Sequence, residues 1–192
     1  MSCAVAGSGS PSVLLVEVPE AEPAVARHRE RLDANSLLGI PAHFTVLFPF
    51  MPPEMIRPPV LGELERLFAA VPRFRFQLAG TAWFGQEVLW LAPGNPAPFR
   101  VLTDRVYEAY PAFPPFEGRH SDVVPHLTVG HGHPVADMRA AEESVRAQLP
   151  VEARATAVTL MTEQSPGGQW VRAARFALGQ DGAPATGGSG SG

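Results

Sequence analysis

Two tripeptides carry the side chains best suited to acid–base chemistry. His43-Phe44-Thr45 lies in PAHFTVLFPF, and His126-Leu127-Thr128 lies in VPHLTVGHG. Each sits among apolar residues with a proline just upstream, Pro41 and Pro125. Along a β-strand side chains alternate, so His and Thr two residues apart share a face. Each copy then presents one imidazole and one hydroxyl side by side. Imidazole takes and gives protons near neutral pH. Two of them in one cleft serve as base and acid on opposite sides of a reacting centre, while the hydroxyls donate to non-bridging phosphate oxygens. His43, Thr45, His126 and Thr128 therefore suit in-line displacement at phosphorus without a metal or other cofactor. A lone His-x-Thr in a strand is ordinarily a structural histidine. The repetition is what separates this pair, since each copy interrupts an apolar strand where a histidine is costly.

The elements that must position the motifs follow from periodicity. Val13–Val18 (VLLVEV) reads as a buried strand, and Glu22–Asp33 as an amphipathic helix with Pro23 in its first turn. A turn near Gly39 leads to the first motif strand, 42–48. A helix over 60–70, a strand at 74–78 and a buried strand at 88–93 come next. Phe99, Leu102, Val106 and Tyr110 mark another helix, and the irregular loop PAFPPFEGRHSD leads to the second motif strand, 125–130. A helix at 134–149 and strands at 152–162 and 169–178 complete the chain, with the turn SPGG between the last two. Strand, helix, motif strand, helix, strand thus occurs twice. The expected fold is α+β and bilobal, with duplicated units at about 12–80 and 86–178 inside one domain, 12–180. Residues 1–11 read as a disordered leader and 181–192 as a flexible tail.

Composition narrows the function. At 192 residues the chain can bury a core without metals or disulfides. Its fifteen basic residues are all Arg, which excludes a lysine nucleophile, a Schiff base and a Walker-type phosphate lysine. The net charge of −4 argues against broad duplex binding, which depends on neutralising many phosphates, but not against recognition of one phosphate or one strand end. Cys3 is the only cysteine, so an internal disulfide and a cysteine-based zinc site are both excluded. No apolar run is long enough to span a bilayer, and a cytoplasmic monomer without an obligate partner is expected.

HFTV and HLTV, with VLLVEV ahead of the first and FGQEVLWLAP between them, resemble the paired signature motifs of the 2H phosphoesterase superfamily, in its 2′-5′ RNA ligase-like branch. The resemblance covers most of residues 12–178. It implies a bilobal fold with antiparallel sheets lining a central cleft, catalytic histidines at His43 and His126, and phosphate-binding hydroxyls at Thr45 and Thr128. It also implies RNA ends with a 2′,3′-cyclic phosphate, or small cyclic nucleotides, as substrates, and for some members 2′-5′ joining of RNA ends. Hydrolysis would leave a 2′-phosphate. This chain departs from several relatives after the second motif, where Gly130-His131 replaces a basic residue.

Other residues are candidates of lower specificity. Phe48 could wall the cleft, with core packing as the plain alternative, and Phe84 or Trp83 could stack on a base, core packing being the plain alternative for Trp83. Arg119 and His120 precede the second motif and could touch a phosphate or base, as could His131. His120, His126, His131 and His133 with Asp122 could be read as a metal cluster, but no thiol joins them and His126 already has a role, so no metal is expected. A binding protein that holds a nucleotide or RNA end without turnover is the alternative function. Intact His and Thr in both motifs favour the enzyme, because binding alone needs no acid–base pair.

Overall fold

The computed structural model describes residues 11–118 and 124–180. Two four-stranded sheets form, each entirely antiparallel. The first contains β1 (Ser12–Glu17), β2 (His43–Phe50), β7 (Ala157–Glu163) and β8 (Trp170–Ala177), in the order β2-β1-β7-β8. The second contains β3 (Phe74–Phe84), β4 (Val88–Pro93), β5 (Leu127–His131) and β6 (Val151–Ala155), in the order β5-β4-β3-β6. The helices are α1 (Glu22–Leu32), α2 (Ala34–Leu37), α3 (Pro58–Ala69), α4 (Ala97–Ala109) and α5 (Val135–Arg146). This is the α+β arrangement of helices and antiparallel sheets that the sequence implies.

Much of the proline content works at helix starts. α1, α3 and α4 each carry proline in the first two positions, and Pro134 immediately precedes α5. Those positions lack an intrahelical acceptor for the missing N–H, and the ring sets φ for the helix that follows.

Three differences from the sequence reading concern how the strands are used. The run expected as one strand at 152–162 breaks at Thr156 into β6 and β7, which belong to different sheets. The strand expected at 74–78 continues to Phe84 and forms a hairpin with β4. The sheets therefore do not coincide with units at 12–80 and 86–178. The first sheet joins the two ends of the described chain, and the second is built from its middle. The expected leader and tail fall, except for Pro11, outside the described residues.

One main core draws on both sheets and on all the longer helices. Strand alternation gives each motif two jobs. Phe44 is fully buried, stacked on Phe99 at 4.2 Å and edge-on to Phe76 at 5.7 Å between centroids. Leu127 is likewise fully buried. The middle residue of each tripeptide thus anchors its strand in the core, and burial of each such side chain stabilises the fold by about 1.5–3 kcal/mol. His and Thr are turned the other way. On that opposite face of the first sheet, Val13, Leu15, Ile40, Met161 and Trp170 form a second, smaller apolar cluster. No helix among the described residues is long and apolar enough to cross a membrane.

Candidate active site

The two motif strands occupy corresponding places. β2 and β5 are each an edge strand of their sheet, and they lie against one another. His43 and Thr45 open and continue β2, opposite Glu17 and Leu15 of β1. His126 stands one residue before β5, slightly outside the expected strand, and Thr128 pairs with Trp90. All four side chains line one cavity of about 210 Å³. The sequence-predicted set is therefore brought together in space.

Both imidazoles are held in the same way. His43 Nδ1 lies 2.8 Å from the carbonyl oxygen of Pro41, and His126 Nδ1 lies 2.7 Å from that of Val124. A carbonyl oxygen only accepts, so Nδ1 carries the proton in each ring. This fixes the neutral tautomer and leaves Nε2 as the nitrogen that exchanges protons. In each case the carbonyl belongs to the residue two positions upstream, so the bend in the chain before each strand builds its own orienting acceptor.

Burial sets the electrostatics. It pushes the His43 pKa down to about 4, opposed by the bond to Pro41 and aided by the nearby Arg29 guanidinium. Burial also lowers that of His126, again opposed by its carbonyl partner. Both rings are thus neutral at pH 7 in the free protein, and an anion placed between them would raise both values.

Beneath His43 lies an ion pair that the sequence reading does not foresee. Arg29 Nε and Nη2 reach Asp33 Oδ2 at 3.2 and 2.9 Å, and both side chains are almost fully buried. Asp33 also caps α2 by accepting from the Asn35 N–H, and Arg29 Nη2 donates to the Ile40 carbonyl at 3.1 Å. These bonds tie the end of α1 to the segment that delivers Pro41 and His43. Asp33, Asn35 and Ile40 all line the cavity. A signal is present in the spacing, since Arg29 and Asp33 are four residues apart on a helix face.

Aromatic side chains border the cavity on two sides. Phe48 lines it, as expected, and packs on Trp170 with centroids 6.2 Å apart. Trp170 is not among the sequence candidates; its only cue is a large aromatic opening the last strand. Phe84 stands edge-on to the His126 ring at 5.0 Å and stacks on Trp90 at 4.8 Å. It is 37% exposed at the end of the β3–β4 hairpin, and it touches His126 without being among the residues lining the cavity.

His131 takes a different place. A register shift in the β4–β5 ladder lies between Leu89 and Trp90. Beyond it Gly130 packs inward, where a Cβ would stand 3.0 Å from Leu32 Cβ and 3.3 Å from the Met138 sulfur. His131 emerges exposed, opposite Val88, and is not among the residues lining the cavity. The bulge re-aims the strand end. Arg119 and His120 lie outside the described residues, as does Asp122. Among the described residues no group of three or more His, Cys, Asp or Glu side chains is placed to hold a metal ion.

Known proteins share both the sequence pattern and the fold. Residues 17–167 match the model of the 2′-5′ RNA ligase superfamily. Among solved structures, the chain is similar to TT0787 of Thermus thermophilus, at 18% identity and a TM-score of 0.58, covering 90% of this chain and 100% of that one. It is similar to a protein described as a phosphoesterase, at 16% identity and a TM-score of 0.56, covering 90% and 100% of the two chains. It is also similar to E. coli LigT complexed with 3′-AMP, at 16% identity and a TM-score of 0.53, covering 89% and 99%. At such identities these likenesses establish the shared fold. No curated protein matches the sequence.

Proposed function

The chain belongs to the 2′-5′ RNA ligase superfamily, and from that premise we propose that it is a metal-independent phosphoesterase that opens 2′,3′-cyclic phosphates at RNA ends or in small nucleotides. One observation carries the reading. Two histidines have the same Nδ1-to-carbonyl lock and face one cavity with two threonine hydroxyls. A structural histidine needs no second copy in mirror position. A site that only binds phosphate is better served by arginine, whose charge is fixed and whose fork matches phosphate oxygens. The nucleotide-type ligand is also in keeping with E. coli LigT, which has been solved with 3′-AMP.

In the proposed reaction one Nε2 removes a proton from water as its oxygen attacks phosphorus. The bond from phosphorus to the ribose 3′-oxygen breaks, and the other Nε2–H protonates that oxygen. The product is a 2′-phosphate beside a free 3′-hydroxyl. Thr45 and Thr128 donate to the non-bridging oxygens and offset the charge that gathers there. With a 5′-hydroxyl in place of water, the same displacement forms a 2′-5′ linkage. The bound phosphate anion raises the acidic partner's pKa and so keeps it protonated.

The pH dependence tests this division of labour. The base must be neutral and the acid protonated, so activity rises through the lower apparent pKa and falls through the upper one, both belonging to the pair. In the free protein both histidines are lowered from 6.5. The falling limb of kcat/KM on 2′,3′-cyclic AMP is accordingly expected below pH 6.5. That of kcat, which reports the complex, is expected at higher pH. A profile flat from pH 5 to 8 would overturn paired-histidine chemistry.

A further inference from the structure

The carbonyl that orients His43 belongs to a peptide group whose other end is also held. Pro41 C=O and Ala42 N–H are the two halves of one planar trans unit, so they point in opposite directions. On one side the Pro41 oxygen accepts from His43 Nδ1 at 2.8 Å. On the other, the Ala42 N–H donates to Glu22 Oε1 at 2.7 Å. Carboxylate, peptide and imidazole thus form one hydrogen-bonded chain.

Glu22 is the first residue of α1 and half-buried, and Ala42 is fully buried. A bond from an N–H to a carboxylate is stronger than a neutral one, and it polarises the peptide so that its carbonyl becomes a better acceptor. Neighbouring bonds remove the remaining freedom of the segment. Ala42 O accepts from the Val18 N–H at 2.8 Å, and Ile40 O accepts from Arg29 at 3.1 Å. Pro41 itself has a fixed φ and no N–H to seek a partner. α1 therefore grips both sides of Pro41, with Glu22 in its first turn and Arg29 in its last. The grip matters because a loose imidazole rotates and exchanges tautomers. With the Pro41 carbonyl fixed, the proton stays on Nδ1 and Nε2 is left for the reaction.

We infer that Glu22 is a positioning residue for His43, acting through the Pro41–Ala42 peptide as the carboxylate of a catalytic triad acts directly on its histidine. Glu22 is not among the residues lining the cavity, so its effect passes through the ring. The inference rests on the phosphoesterase reading for the reaction, but the hold on the ring is measurable without turnover.

Long-range proton–nitrogen correlation spectra of histidine-labelled protein report which ring nitrogen carries the proton. His43 and His126 are assigned from their alanine variants, and the wild type is expected to show the Nδ1–H form for both. Glu22→Ala should move His43 toward the Nε2–H form and leave His126 unmoved. On 2′,3′-cyclic AMP the same variant should lose about tenfold in kcat with little change in KM. Glu22→Gln, which keeps an acceptor oxygen, should recover most of that loss. Glu30→Gln, exposed on the same helix, should match the wild type in both measurements. An unmoved His43 in Glu22→Ala, or both histidines shifting together, would overturn the inference, as would a shifted His43 with undiminished kcat. If the wild type turns over no cyclic phosphate, the reaction reading fails by itself, and the spectra alone decide whether Glu22 holds the ring. Should thermal denaturation find Glu22→Ala unfolded, Glu22→Asp, one methylene short of Ala42, takes its place with the same expectations.

Discussion

His43→Ala and His126→Ala are each expected to lower kcat on a 2′,3′-cyclic phosphate by about 10²- to 10⁴-fold, the usual worth of a positioned acid or base. The reason lies in the matched locks. Each ring donates Nδ1–H to a carbonyl of its own chain segment, leaving one Nε2 on each motif strand for the proton. If the two act in a single displacement, removing the second after the first costs little more. The double variant should therefore be about as inactive as the worse single one, as with groups that act as a unit. Folding is checked by thermal denaturation, because each ring is partly buried beside the core. Loss in only one variant would contradict the two-sided mechanism.

Thr45→Val and Thr128→Val should each reduce kcat by about 10²-fold or more while sparing the fold. The swap keeps a β-branched shape suited to a strand and removes the one donor aimed at the cleft. Loss of a single oxyanion donor in a preorganised site has an effect of this order. The core contacts of each motif are made by Phe44 and Leu127, so stability is not expected to fall with activity. Single-turnover kinetics separates the outcomes. A drop in the chemical step with little change in substrate affinity is the expected result. Weakened binding with an unchanged chemical step would make the threonines mere anchors.

How much of this is legible in the sequence depends on the range of the physics involved. The motifs are, because alternation in a strand is a local rule and His-x-Thr repeats in an apolar setting. The helices are, because apolar spacing and prolines at their starts are local too. The division of strands between sheets is not. ARATAVTL reads as one continuous run, yet Thr156 marks the passage from β6 beside β3 to β7 beside β1. Nothing local distinguishes a run that stays in one sheet from one that changes partners. Likewise Ala79, Gly80 and Ala82 conceal the second half of β3, which pairing with β4 supplies. The cleft's supporting residues follow the same pattern. Trp170 comes from the far end of the chain, and Asp33 and Asn35 from a cap, so their meeting at His43 is tertiary. The bulge before Gly130 is equally a product of pairing, and it decides which face His131 takes.

The central claim is that the two histidines open a cyclic phosphate without a metal, and product identity tests it most directly. A short RNA ending in a 2′,3′-cyclic phosphate would be incubated with EDTA-treated protein and followed by phosphorus NMR. The expected result is complete conversion to a single 2′-phosphate resonance, at the same rate with and without EDTA. Turnover that vanishes with EDTA, a 3′-phosphate product, or an RNA end that binds and stays cyclic would each contradict it.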